Sequence, residues 1–281
     1  MSVLQRSICS ASTTDPIVET YSRLAAKYDD DGNVQSCWGR AAAKALSCVS
    51  LKEDCHVIAD VGCGTGRALL SLASDDHSER QFIGVEPAQN MRDLAIERTK
   101  GHANIKIFDG RFENLPLESA SVDYLYSIFA FHWTTDLESS VRELSRVMQP
   151  SGEMDMFFIG RNNGREFIQR TTPIFFKFMG PARLLDSVHL RKQLTRDQAF
   201  QLFTKTFDKS HVAVEETYDT YYDTLEGHLN WWVRIEGQFL NIPAEKREHC
   251  DAQVRAAIQG LEEPRGIPYT IHQLHFKLRK P

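Results

Sequence analysis

The sequence predicts an α/β fold: a Rossmann-like, seven-stranded, mostly parallel sheet with helices on both faces and an inserted helical cap. Three observations predict it. Short apolar strands alternate with helical patterns between residues 56 and 159, a glycine-rich turn joins the first strand to its helix, and an acidic residue closes the second strand. Such alternation builds a parallel sheet covered on both faces. Ligands on such sheets bind beyond the carboxyl ends of the strands, where the strand order reverses.

The elements follow in order. Thr14-Asp15-Pro16 supplies a capping side chain and a first-turn proline, and Val18, Tyr21, Leu24, Ala25 and Tyr28 then recur at helical spacing. A second helix is expected over roughly 34–49. Strands are expected at 56–61, 81–86, 105–109, 122–127 and 153–159, with helices at 66–74, 88–99 and 136–148. After Gly160 the alternation stops, and residues 161–210 read as an aromatic, helical cap in which Thr195 suits a helix N-cap. A strand pattern returns at 212–218. A helix carrying Trp231 and Trp232 follows, then another at about 244–261, and the last strand covers 269–278. The chain thus divides into 1–50, 51–160, 161–210 and 211–281.

At 281 residues the chain suffices for one large α/β domain with insertions. A formal charge of -5 offers no whole-chain attraction to nucleic acid. The six cysteines form no CxxC pair, which argues against a zinc site or disulfide framework and for a reducing, cytoplasmic setting. No apolar run is long enough for a membrane span, and Met1 to Thr14 lacks a signal-peptide core. His272 and His275 fall on opposite faces of the last strand, so no metal is expected.

The chemistry concentrates at Asp60-Val61-Gly62-Cys63-Gly64-Thr65-Gly66-Arg67. Glycine there permits positive φ and lets a ligand approach bare backbone. Twenty residues beyond Gly66, Glu86 ends the second strand, well placed to grip both hydroxyls of a ribose. A nucleoside-bearing ligand is predicted. The dinucleotide fingerprint G-x-G-x-x-G would need a third glycine where this chain has Arg67, so a pyrophosphate ligand, and with it a nicotinamide-dependent oxidoreductase, is disfavoured.

With Asp60 two residues before Gly62, the turn resembles motif I of the class I S-adenosylmethionine (SAM) methyltransferases of the small-molecule type. Tyr21-Ser22-Arg23-Leu24-Ala25-Ala26-Lys27-Tyr28-Asp29 resembles their N-terminal Y-x-x-x-A-x-x-Y-D signature. Segments 217–232 and 266–280 resemble malonyl-carrier-protein O-methyltransferases more weakly. The resemblance implies SAM as cofactor, S-adenosylhomocysteine as product, and N-terminal helices closing over the cofactor. It implies cofactor contacts from Asp60, Gly62, Cys63, Gly64, Gly66, Glu86, Pro87, Met91, Arg111, Phe112, Glu113, Ser127 and Tyr28. Asp60 either fixes the turn or accepts from the cofactor ammonium, directly or through water. Met91 either packs on adenine or is a core methionine. In related enzymes the loop at 109–116 carries an acid where this chain has Arg111; arginine has no acceptor for the adenine amino group, which must turn to a backbone carbonyl, Asp109 or Glu113. Phe112 can supply a backbone donor and a stacking ring.

The segment after the fourth strand, Phe131-His132-Trp133, is expected nearest the transferred methyl. His132 is the candidate catalytic residue, as general base or orienting group, with a loop-bonded neutral histidine as the plain alternative. Tyr21, Phe131, Trp133, Phe176, Trp231 and Trp232 are the candidate acceptor-binding residues, with core packing as the alternative for Tyr21 and for one of the two tryptophans at 231 and 232. Lys177, Arg183, Arg191, Lys192 and Arg196 make the cap basic, which suits either an anionic or carrier-bound acceptor or a solvated helix face. The expectation is methyl transfer to an oxygen or carbon of a small organic acceptor, in a biosynthetic or natural-product tailoring role. The alternatives are a malonyl-carrier-protein-like carboxyl O-methyltransferase and a non-catalytic SAM-binding partner subunit.

Overall fold

The computed structural model describes residues 15–74, 79–231, 240 and 242–281. Strands β1 (Val57–Val61), β2 (Gln81–Val85), β3 (Ile105–Phe108), β4 (Val122–Ile128), β5 (Met148–Ile159), β6 (Val212–Asp223) and β7 (Ile267–Arg279) form one sheet in the order β3-β2-β1-β4-β5-β7-β6. The first five are parallel, and β7 inserts antiparallel between β5 and β6. The order reverses between β1 and β4, so a crevice opens at their carboxyl ends. Both faces are covered: Ile58 packs with Leu69, Phe82 and Tyr124 on one side, and Ala59 with Ile83 and Leu125 on the other. That double burial is why β1 reads as an unbroken apolar run.

Helix α1 (Pro16–Tyr28) starts at Asp15, whose side chain accepts from Ile17 N at 2.9 Å, with Pro16 in the first turn. The single helix expected at 34–49 is instead α2 (Asp31–Val34) and α3 (Cys37–Leu46), split where the Ser36 hydroxyl caps Gly39 N. Gly39 is required there, because a Cβ would lie 2.1 Å from the Val34 carbonyl oxygen. Helices α4 (Arg67–Ser74), α5 (Gln89–Arg98) and α6 (Leu137–Val147) connect the parallel strands. Strand β5 begins earlier than the expected 153, since residues around Pro150 and Gly152 stay beside β4 through a register shift between Val122 and Tyr124.

The chain continues through α7 (Arg165–Met179), α8 (Pro181–His189), α9 (Arg196–Phe203), α10 (Leu225–Trp231) and α11 (Ala244–Gln259). The expected 161–210 cap is not one unit. Phe167, Phe175 and Met179 of α7 pack with Trp231, Cys250, Val254 and Ile258 and with Cys37 and Ala41 of α3. By contrast, Ala199, Leu202 and Phe203 of α9 join the main sheet core. Helix α9 therefore flanks the sheet, and the layer over the crevice draws on α3, α7, α10 and α11 instead. Its start follows expectation: Thr195 accepts from Gln198 N, and the Gln198 side chain accepts from Thr195 N. No helix among the described residues is long and apolar enough to cross a membrane.

Phe203 is fully buried, its ring 4.6 Å from Phe276 and 5.5 Å from Phe131. Phe203→Ala should lower unfolding free energy by about 3–5 kcal/mol in urea titrations, the usual cost of emptying a buried aromatic site. A loss below ~1 kcal/mol would remove α9 from the sheet core.

Candidate active site

Gly62, Gly64 and Gly66 all have positive φ, at +79°, +56° and +74°. A Cβ on Gly62 would meet the Ala130 Cβ at 2.3 Å, whereas one on Gly64 would meet nothing among the described residues within 4 Å. Backbone at Gly64 therefore faces open space. Glu86, 7% exposed, ties this turn to β2: one carboxylate oxygen accepts from Gly64 N and the other from Ala88 N, each at 2.9 Å. Burial raises the Glu86 pKa, while those two backbone donors and Arg92 oppose the rise. A carboxylate has about four acceptor positions, so both oxygens keep capacity for a further donor.

Two adjoining cavities flank the turn. The smaller, of about 120 Å³, is lined by Glu86, Pro87, Met91, Arg111, Phe112 and Glu113. The larger, of about 400 Å³, is lined by Asp60, Cys63, Thr65, His132, Arg191 and Trp231. Tyr21, Tyr28, Gly62, Gly64, Phe129 and Trp133 line both. Helix α1 is fastened over the junction at two ends. Asp29 accepts from Thr65 Oγ1 at 2.6 Å and pairs with Arg98 at 2.7 Å, while Arg98 also bonds the Thr65 carbonyl. At the other end Asp15 pairs with Arg111 at 2.6 Å.

These residues fit a sulfonium nucleoside. The smaller cavity has an acid with spare acceptors for ribose hydroxyls and the apolar surfaces of Met91 and Phe112 for a base. The larger offers Asp60 beside open glycine backbone. Burial pushes Asp60 up to about 7, the Tyr126 phenol partly opposing and the Glu86 charge adding to the rise. A cationic ammonium beside it would restore the ionised form.

The expected residues do not all converge. Phe131 does not border the cavity: it is fully buried between Phe112, Phe158 and Phe203. It opens a 3₁₀ turn, Phe131–Trp133, whose tight winding sends successive side chains in different directions and leaves His132 and Trp133 at the cavity wall. Phe176 is 55% exposed on the outer face of α7, because Phe175 and Met179, one turn apart, take the inner face. Ser127 is fully buried and lines neither cavity, although its neighbour Ile128 lines both, as strand alternation requires. Gly66 also lies off both linings; a Cβ there would crowd Ala95 of α5 at 3.0 Å, so it serves helix packing. Trp232 lies outside the described residues.

Arg111 and Glu113 line the smaller cavity but are engaged elsewhere. Arg111 holds Asp15, and one Glu113 oxygen accepts from Thr135 Oγ1 at 2.7 Å and Asp136 N at 3.1 Å. Burial acts upward on Glu113, yet the Thr134 and Thr135 hydroxyls outweigh it and hold its pKa below the usual value. Asp109 turns outward to Arg92. His132 is 5% exposed, with Nδ1 lacking a hydrogen-bond partner among the described residues. Burial lowers its pKa to about 3, and the Arg191 charge adds to this, so it stays neutral and is a feeble base.

Sequence reasoning missed Trp38, Phe129, Asn163, Asp29 with Arg98, and the inward position of Arg191. The N-terminal signature contains Asp29 but not its partners, and no local pattern marks the others, since each acquires its place through residues far away in the chain. Trp38, for example, meets Trp231 at 5.6 Å and Phe129 at 6.0 Å.

A family model described as a methyltransferase domain matches residues 59–154. The chain is 27% identical to demethylmenaquinone methyltransferase of Staphylococcus saprophyticus over 179 residues, covering 59% of this chain and 72% of that protein. It is 33% identical to the biotin biosynthesis bifunctional protein BioHC of Saccharophagus degradans over 147 residues, covering 51% of this chain but only 25% of that protein. The fold matches the YcgJ protein of Bacillus subtilis with a TM-score of 0.58 at 17% identity, over 86% of this chain and 98% of that one.

Two outcomes are expected. Glu86→Gln should weaken SAM binding, read by calorimetry, by about ten- to a hundredfold, as loss of a charge-assisted contact of ~1.5–3 kcal/mol implies; unchanged affinity would remove Glu86 from the ribose clamp. The folded protein also excludes from His132 a proton that the unfolded chain takes up near pH 6.5. This His132 effect leaves stability intact above about pH 6.5 and erodes it by roughly 1.4 kcal/mol per unit as pH falls toward 3. Urea midpoints between pH 7 and 4 should fall less steeply in His132→Gln than in the wild type, and equal slopes would refute His132 as a source.

Proposed function

We propose, from the premise that this chain is a class I SAM-dependent methyltransferase of the small-molecule type, that it methylates an oxygen of a small organic acceptor held in the larger cavity, in a biosynthetic role in the cytoplasm. The observation that carries the reading is the pair of adjoining cavities. One is acid-anchored, with Met91 and Phe112 as apolar walls; the other is aromatic-walled and meets it at Gly62, Gly64, Tyr21 and Trp133. SAM supplies an electrophilic methyl on a sulfonium whose departure leaves a neutral thioether.

The chain's own residues supply alignment and water exclusion, which suit a displacement with so good a leaving group. Asp60 would hold the ammonium and Glu86 the ribose. Met91 and Phe112 would enclose the base. Helix α1, fastened through Asp15 to Arg111 and through Asp29 to Arg98, would cover the junction. His132 stays neutral and orients the acceptor. With so weak a base, the fitting nucleophile is one that arrives already ionised, which favours oxygen over carbon. The names of the two relatives, which concern menaquinone and biotin biosynthesis, are consistent with a biosynthetic acceptor.

Two measurements test the reading. S-adenosylhomocysteine should form when SAM is supplied with an oxygen acceptor; SAM binding without product from any acceptor would favour the non-catalytic alternative. SAM affinity should also fall as pH drops below about 7, because Asp60 must lose a proton to receive the ammonium. Asp60→Asn should bind SAM more weakly at pH 8 and flatten that dependence. A pH-independent wild-type affinity between 5.5 and 8 would refute the ammonium role.

A further inference from the structure

Arg191 sits on the loop between α8 and α9, in the wall of the larger cavity. Among the described residues two other arginines line that cavity, but both are exposed and differently placed. Arg67 opens α4, and Arg40 bonds the Tyr222 carbonyl and lies over the Tyr221 ring. The Arg191 guanidinium instead lies 5.2 Å from the centre of the Trp133 ring, and Trp133 lines both cavities. The next residue fixes the loop: Lys192 N donates to the His132 carbonyl at 2.8 Å. Arg191 is thus held at the junction where the methyl would be delivered. Trp231, 2% exposed, lines the same cavity, and its indole N–H has no hydrogen-bond partner among the described residues.

Resting on the methyl-transfer reading above, we infer that the acceptor is an apolar carboxylic acid, its carboxylate held by Arg191 and the Trp231 N–H and itself methylated. Guanidinium pairs with carboxylate through parallel N–H donors, leaving lone pairs for attack. The surroundings match the rest of such an acid, since Trp38, Phe129, Ile159 and Trp231 present apolar surface. Burial lowers the Arg191 pKa, with the Tyr269 and Tyr21 phenols opposing, as expected of a cation set in an apolar wall. A carboxylate is ionised at neutral pH, so the depressed pKa of His132 is no obstacle. In the step, a carboxylate oxygen forms a bond to the methyl carbon as the carbon–sulfur bond breaks. Its electron pair stays on sulfur, giving a methyl ester and S-adenosylhomocysteine with no proton transferred.

The full chain is offered octanoate, decanoate, 3-phenylpropionate and cinnamate, each against its matched primary alcohol and amide. Ester formation is read by mass spectrometry. Binding of each acid to the protein loaded with S-adenosylhomocysteine is read by calorimetry. The expected result is ester from at least one acid and no ether or N-methyl product from the controls. Arg191→Leu should raise the KM for that acid, and its dissociation constant, at least tenfold; Arg191→Lys should recover part of the loss. Both variants should bind SAM within twofold of the wild type, which reports an intact fold. If SAM binds but no acid is bound or methylated, or alcohols react as well as acids, or Arg191→Leu leaves KM unchanged, the inference is overturned. Failure of the wild type to bind SAM would instead overturn the methyl-transfer reading.

Discussion

The site depends on a buried carboxylate that bridges two strand ends. Glu86 receives Gly64 N on one oxygen and Ala88 N on the other, so it joins the turn after β1 to the start of α5. Removing an acid from water is costly, and two backbone donors are what make its position tolerable. The turn adds its own restraint, since Gly62 N and Cys63 N both donate to the Val85 carbonyl. With β1 and β2 fastened in this way, the bare backbone at Gly64 is held open, and the two cavities take their places on either side of it.

Everything that encloses the crevice is anchored to that frame from a distance. Helix α1 reaches it through Asp29, Thr65 and Arg98 at one end and through Asp15 and Arg111 at the other. Arg111 lines the smaller cavity and at the same time holds Asp15, the N-cap of α1. The layer above is built from α3, α7, α10 and α11, separated in sequence by the sheet and by one another. Only side chains meeting across that layer make the larger cavity a distinct chemical space: aromatic-walled, with a neutral histidine and an inward arginine.

Much of this was legible in the residues. The mostly parallel sheet follows from the alternation, because parallel strands need crossover helices; its strand order, with β7 antiparallel between β5 and β6, does not. In the cofactor half, spacing pointed to a nucleoside-bearing ligand, through three glycines, an acid before them and another after the second strand, and the resemblance to the methyltransferases narrowed it to SAM. The acceptor half was less legible. Phe131, His132 and Trp133 are adjacent, yet a 3₁₀ turn sends the first into the core and the other two to the cavity. Phe175 and Phe176 likewise differ only by helical phase, and α9 reads as cap but packs on the sheet.

The sequence by itself determined the α/β class, the glycine turn and the acid at the end of β2, because backbone geometry, strand period and glycine conformation are local properties. Tertiary structure alone decided what stands around the second cavity. Arg191 reaches the Trp133 ring, and Trp38 meets Trp231, across many residues of intervening chain. Burial, and with it the suppressed basicity of His132, belongs to that assembled surface: a side chain's dielectric surroundings are set by whatever packs against it, and no local pattern records that.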